Sequence, residues 1–221
     1  GYSVLAIDLP GHGYSEGPSL KSIEEQAKWI SDVIDSVGMT EASLVGHSQG
    51  CLITMECASQ FPNKIKSLAL MGGAGAIPMN PELLELAEKG DPKAVDLMMD
   101  WAHGPSGHFG GHPVPGLHHM NLGGSIVING SVKDSLGVDF RACDNYKNGF
   151  DAAKKVKCPT INILGAEDRM CPVKEGKKLA DAIEGSEVEI IENCGHMILL
   201  EEADKALALL KKFIRKNHPI D

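Results

Sequence analysis

The sequence has six cysteines but no C-x-x-C pair, and their positions at 51, 57, 143, 158, 171 and 194 match neither a zinc knuckle nor a redox couple. A chain of 221 residues buries enough surface to fold without covalent staples, so reduced thiols and a cytoplasmic setting are expected. No apolar run comes near the roughly 18 residues that a membrane span requires, and no membrane partner is expected. Basic residues are in deficit. The chain carries 21 Lys and Arg against 30 Asp and Glu, a net charge of -9, and so acidic a surface repels phosphate backbones and anionic headgroups. Nucleic acid is therefore a poor partner. There is no internal repeat, and 43% hydrophobic with 23% charged residues excludes disorder, collagen and coiled coil. An initiator Met is also missing. The chain opens directly on strand material, Gly1-Tyr2-Ser3-Val4-Leu5-Ala6-Ile7-Asp8, and reads as incomplete at that end.

What the sequence does contain is alternation. Short apolar or β-branched runs at Val4 to Ile7, Ala42 to Val45, Ile65 to Met71, Thr160 to Leu164 and Glu187 to Ile191 predict strands. Between them lie helical periodicities. Ile23, Ala27, Ile30, Ile34 and Val37 recur at three and four, with Ser22 and Glu25 as a capping box and Gly38 as the stop. Further helices are predicted over 50–60, 173–183 and 201–216. Strand, helix, strand in this order gives an α/β fold: a mostly parallel sheet flanked by helices.

The alternation lapses between Gly72 and about Phe150. Asn80-Pro81 and Asp91-Pro92 place a capping residue before a first-turn proline and predict short helices over 81–89 and 92–102. Beyond them, Gly104 to Gly124 is too crowded with Gly and Pro for a helix or a central strand, and reads as a long loop. The expected organisation is one core made of residues 1–72 and 151–221, interrupted by a cap insertion over 73–150.

Leu44-Val45-Gly46-His47-Ser48-Gln49-Gly50 falls between a predicted strand and a predicted helix. A turn this sharp forces its apex, Ser48, into strained torsions, and Gly46 and Gly50 are expected to remove side chains that would collide there. The hydroxyl is then held at the carboxyl end of the sheet, where the Gln49 N–H can donate to a developing oxyanion. A serine hydroxyl needs a base, and the base needs a carboxylate. His196, in Asn193-Cys194-Gly195-His196-Met197, follows the last strand, and Asp168, in Gly165-Ala166-Glu167-Asp168-Arg169, follows the one before. Both emerge at the edge that carries Ser48. Glu167 is the rival to Asp168.

These segments, with Asp8-Leu9-Pro10-Gly11-His12-Gly13-Tyr14-Ser15, resemble α/β-hydrolase-fold enzymes. Asp8 to Ser15 is similar to the loop after that family's fourth strand, Gly46 to Gly50 to its nucleophile elbow, and the other two segments to its acid and histidine loops. The likeness covers about 145 residues in two blocks and preserves the order Ser, Asp, His. It implies a serine hydrolase acting on a small-molecule acyl substrate, a carboxylic ester, lactone or thioester, with Ser48, Asp168 and His196 as the triad and no metal or organic cofactor. It also implies earlier strands, and a second oxyanion donor, that this sequence does not contain. Hydrolysis of a carbon–carbon bond by the same triad stays open, as does a non-catalytic binding protein or inactive fragment of the same fold. Ser48 in place of an aspartate argues against dehalogenase or epoxide hydrolase chemistry.

The remaining candidates have plainer readings. His47 is expected to pack or hydrogen-bond beside the elbow. His103, His108, His112, His118 and His119 lack metal-site spacing and read as a polar loop. Met98, Met99 and Met120 read as packing, Cys51 and Cys57 as buried, and Lys211, Lys212, Arg215 and Lys216 as complements to the end of a helix dipole.

Overall fold

A computed structural model of the chain describes residues 1–108, 124, 127 and 134–219. His112, His118, His119 and Met120 lie outside the described residues. The first helix, α1 (Ile23–Ser36), starts where Ser22 Oγ accepts from the Glu25 N–H. The Glu25 carboxylate reaches back to the N–H of Lys21, one residue beyond the position a full capping box uses. Gly38, at φ +72°, follows the helix end.

The sheet has four strands, β1 (Ala42–His47), β2 (Ile65–Met71), β3 (Thr160–Gly165) and β4 (Glu187–Ile191), parallel and adjacent in that order. Leu44 pairs with Leu68, Leu68 with Thr160 and Ile161 with Glu187. Parallel neighbours need crossovers, supplied by α2 (Gln49–Gln60) between β1 and β2 and by α8 (Val173–Ala182) between β3 and β4. The long connection from β2 to β3 carries α3 (Pro81–Glu88), α4 (Lys93–Ala102), α5 (Pro105–His108), α6 (Ser135–Asn145) and α7 (Gly149–Ala153). After β4 come a single turn, α9 (Ile198–Glu201), and the last helix, α10 (Ala203–Asn217). The Asn80 side chain caps α3, and Asp91 accepts from the N–H of Lys93 at the start of α4.

Side chains alternate across a strand, so β2 serves two cores. Leu68 and Leu70 face a cluster with Ile23, Ala27, Leu52, Met55 and Leu179 from α1, α2 and α8. Ala69 and Met71 face the other side, with Ile161, Ile163, Ile198 and Phe213. A third cluster, with Leu83, Leu84, Ala87, Ala94 and Phe140, joins α3, α4 and α6 to one another.

One strand expectation fails. Val4 to Ile7 forms no strand, and Val4 is 89% and Leu5 60% exposed. A strand exists only as half of a hydrogen-bonded ladder, and no described strand lies alongside these residues, so their β-branched composition has nothing to pair with. The free edge of β1 shows the same thing from the other side: Val45 is 46% exposed.

Candidate active site

Between His47, the last residue of β1, and Gln49, the first of α2, a single residue turns the chain. Ser48 does so at φ 54° and ψ -120°, a conformation that costs a non-glycine residue about 1 to 3 kcal/mol. The turn is that tight because the strand end and the helix start touch. A Cβ at Gly46 would lie 2.3 Å from the Gly50 carbonyl oxygen. Gly50 behaves differently. A Cβ there would meet nothing within 4 Å, so the expected collision is real at Gly46 and absent at Gly50, whose part is its carbonyl. Two bonds dock the elbow. The Ser48 N–H donates to Met71 O at 3.0 Å, at the end of β2, and the Cys51 thiol lies 3.2 Å from the same oxygen. Burial pushes the Cys51 thiol far above its ordinary range, which makes it packing and not a nucleophile.

Asp168 follows β3 and His196 follows β4. Their side chains meet in the interior, Nδ1 of His196 lying 2.7 Å from Oδ2 of Asp168, with side-chain exposures of 3% and 1%. The other carboxylate oxygen accepts the N–H groups of Met170 (2.8 Å) and Cys171 (2.7 Å), so the anion is held in one orientation. Glu167 is not in this pair. Because a carboxylate only accepts, it fixes Nδ1 as the protonated nitrogen and leaves Nε2 as the basic one. That Nε2 is buried and engages no partner among the described residues.

The pair needs a hole in the backbone beside it. A Cβ on Gly72 (φ +59°) would sit 3.1 Å from His196 Nδ1 and 3.4 Å from Asp168 Oδ2. Gly72 directly follows Met71, to which Ser48 is hydrogen-bonded, and the His47 ring lies tilted against that of His196, with 4.9 Å between centroids. The elbow and the imidazole are thus neighbours. His47 Nε2 lies 2.8 Å from the His196 carbonyl oxygen, and burial, with the nearby His196 as a lesser cause, lowers the His47 pKa to about 4. It is a neutral donor at neutral pH, in the hydrogen-bonded role expected for it.

Beside Gly72, which leaves room for the pair, two groups that no motif marks hold the histidine loop: Glu201 and the Ala102 carbonyl. The Glu201 carboxylate accepts from the N–H groups of Gly195 (3.1 Å) and Met197 (3.1 Å), on either side of His196, and from that of Gly104 (2.8 Å). The Ala102 carbonyl, at the end of α4, accepts from the N–H of His196 at 2.7 Å. No spacing or motif in the sequence marks Glu201, which stands beside a second glutamate, Glu202.

The N–H of Gln49 has no acceptor among the described residues, and no side chain caps the start of α2. His103 is a correction. It is 1% exposed at the end of α4, with Nδ1 2.8 Å from Met99 O, and belongs to the packed interior and not to a polar loop. His108, on α5, lies 3.1 Å by Nε2 from Asp100 O. Among the described residues no group of three His, Cys, Asp or Glu is arranged to hold a metal ion, and no helix is long and apolar enough to cross a membrane. Met99 is buried, as are Cys51 and Cys57. Of the C-terminal cations, Arg215 and Lys216 stand in the last turn of α10, and Lys216 pairs with Glu187. A cleft of about 360 Å³ opens beside the acid loop, lined by Met79, Leu83 and Trp101 together with Arg169 and Met170.

Comparison with known proteins gives a consistent result. A family model described as the alpha/beta hydrolase fold matches residues 1–104. A monoacylglycerol lipase of Xenopus laevis is 27% identical over 96% of this chain and 67% of its own length. A 2-hydroxymuconate semialdehyde hydrolase of Pseudomonas putida is 25% identical over 96% of this chain and 76% of its own. Among solved structures, a thermophilic esterase superposes with a TM-score of 0.80 at 29% identity, covering 96% of this chain and 80% of that one. The enol-lactonase of Burkholderia xenovorans superposes at 0.82 with 22% identity, covering 94% and 78%.

Proposed function

We propose that this chain, which has the fold of the α/β hydrolases, is a serine hydrolase of carboxylic esters or lactones with Ser48, His196 and Asp168 as its triad. The observation that carries this reading is the buried His196–Asp168 pair with an unengaged Nε2, set beside a serine held in strained torsions. A ring steadied by a buried anion and offering one free lone pair is a general base awaiting a proton.

In the first half-reaction the Ser48 hydroxyl oxygen attacks the acyl carbon while its proton passes to His196 Nε2. The carbonyl π electrons move onto oxygen, where the Gln49 N–H donates to the new charge. Asp168 keeps Nδ1–H in place and stabilises the imidazolium. Collapse of the tetrahedral intermediate expels the leaving alkoxide, which takes the proton from Nε2, and Ser48 is left acylated. Water then repeats the sequence and frees the acid. Among the proteins compared above are an esterase, a lipase and an enol-lactonase, which supports the ester and lactone class. The hydrolase named for 2-hydroxymuconate semialdehyde keeps carbon–carbon hydrolysis as the second reading.

We take residues 73–150 as the cap. The cleft supports this, because Met79, Leu83 and Trp101 of the insertion line it together with Arg169 and Met170 of the acid loop and offer apolar surface to an acyl chain. The test is a stopped-flow assay with p-nitrophenyl butyrate. A stoichiometric burst of nitrophenolate, lost in Ser48→Ala and His196→Ala, is the expected outcome. Turnover that survives Ser48→Ala would overturn the mechanism, and a folded protein with neither a burst nor Ser48-dependent turnover would favour the non-catalytic binding protein.

A further inference from the structure

A chain of hydrogen bonds leads away from the elbow to the insertion. The Gln49 side chain donates from Nε2 to Gln26 Oε1 at 3.1 Å. Gln26, on α1 and 1% exposed, donates from its own Nε2 to Asp139 Oδ1 at 3.3 Å and to Leu20 O at 3.2 Å. Asp139, on α6 and 8% exposed, has its other oxygen 2.7 Å from His12 Nε2. Nδ1 of His12 lies 3.1 Å from the Pro10 carbonyl. Four side chains from four separate segments form one line that ends at Gln49.

The line has a direction. A carboxylate and a backbone carbonyl can only accept, so Gln26 must turn its amide nitrogen toward Asp139 and Leu20 and its oxygen toward Gln49. That oxygen in turn selects the amide nitrogen of Gln49. His12 faces acceptors at both ring nitrogens, which only the doubly protonated ring satisfies, and its pKa is raised, chiefly by the hydrogen bond to Asp139. The far end of the line is therefore an ion pair between the loop after Asp8 and the insertion.

Gln49 is also the residue whose backbone N–H faces the oxyanion in the mechanism above. It opens α2 next to a strained residue, with no capping side chain to hold it. We propose that Asp139, acting through Gln26, is a positioning residue that sets the Gln49 N–H for the oxyanion. The proposal rests on the serine-hydrolase reading. It assigns the insertion a part in the chemistry in addition to covering the substrate.

The experiment is steady-state kinetics on a p-nitrophenyl ester for wild type, Asp139→Ala, Gln26→Leu and the double variant, with kcat expressed per Ser48 titrated by a fluorophosphonate. A merely structural loss lowers the titratable fraction and leaves per-site kcat unchanged. A displaced donor lowers per-site kcat, by about tenfold, at a KM changed by less than about twofold. Because both residues act through one line, the double variant should be no slower than Gln26→Leu alone. Asp139→Glu, which keeps the acceptor, should recover part of the loss. Unchanged per-site kcat in the single variants, or losses that multiply in the double, would overturn the proposal while leaving the triad standing. Absence of Ser48-dependent turnover in the wild type would bring down both.

Discussion

At φ 54° the Ser48 backbone is held where few side-chain-bearing residues go, and the strain is carried by neighbours that cannot themselves be changed cheaply. Gly72 is the clearest of these. In Gly72→Ala the new methyl would press on the Nδ1–Oδ2 contact of His196 and Asp168 from 3.1 and 3.4 Å. Esterase kcat should fall by about tenfold or more and the melting temperature should fall with it, because an alanine at φ +59° strains the backbone as well as the buried ring. Asp168→Asn would present an amide where Nδ1–H needs an anion, and kcat should fall by about 10⁴ with KM nearly unchanged.

His12 gives a stability prediction with a definite sign. Its folded pKa lies above the ordinary 6.5, so the native state binds the proton more tightly than the unfolded chain. The stabilisation is fully present below 6.5 and disappears as pH rises through the raised value. Urea unfolding should therefore separate wild type from His12→Asn at about pH 5.5 and bring the two together at about pH 9. A gap that widened with pH would contradict the ion pair. His47 titrates with the opposite sign, its lowered pKa costing stability as pH falls, but it is common to both proteins and cancels.

Ser48, Asp168 and His196 could be read from the sequence because each stands in a short motif beside a strand end, where local spacing carries the information. Gly72, Glu201 and the relay through Gln26 could not. Their roles arise where segments far apart in the chain touch, as Asp139 does with His12 across 127 residues. His103 failed for a related reason: a histidine beside Gly and Pro looks exposed until the end of α4 packs it away.

Among elements, the histidine loop depends most on a single side chain. Glu201 neutralises three main-chain N–H groups, at Gly104, Gly195 and Met197, and so pins α4 and the loop to α9. Glu201→Ala strands those donors. It should lower unfolding free energy by about 2 to 3 kcal/mol, measured by urea denaturation, and reduce kcat through a loosened His196. Glu201→Gln, which keeps one acceptor oxygen, should lose less than half as much.

The helices and strands themselves were largely legible. Ile65 to Met71 and Glu187 to Ile191 form strands over the expected residues, because a short apolar run between turn signals has few other options. Val4 to Ile7 shows the limit. Composition states a preference for strand, but only a neighbouring strand can realise it.

At the scale of the whole molecule, two clusters sandwich the sheet, and a third binds α3, α4 and α6 into a unit of their own. That unit reaches the catalytic edge by at least three routes: Ala102 O on the His196 N–H, Gly104 on Glu201, and Asp139 on Gln26. On the proposed function, substrate selection belongs to it as well. Trp101→Ala would enlarge the cleft beside Met170, and the ratio of kcat/KM for octanoate over butyrate esters should rise by about tenfold. An unchanged ratio would move the acyl site elsewhere.

The central claim is that Ser48 is a nucleophile activated by His196, and covalent labelling tests it without knowledge of the substrate. The folded protein is treated with a fluorophosphonate and the adduct located by peptide mass spectrometry. A single adduct on Ser48 is expected, absent in Ser48→Ala and formed far more slowly in His196→Ala. No adduct on folded protein, or equal labelling of Ser48 with and without the His196 ring, would contradict it.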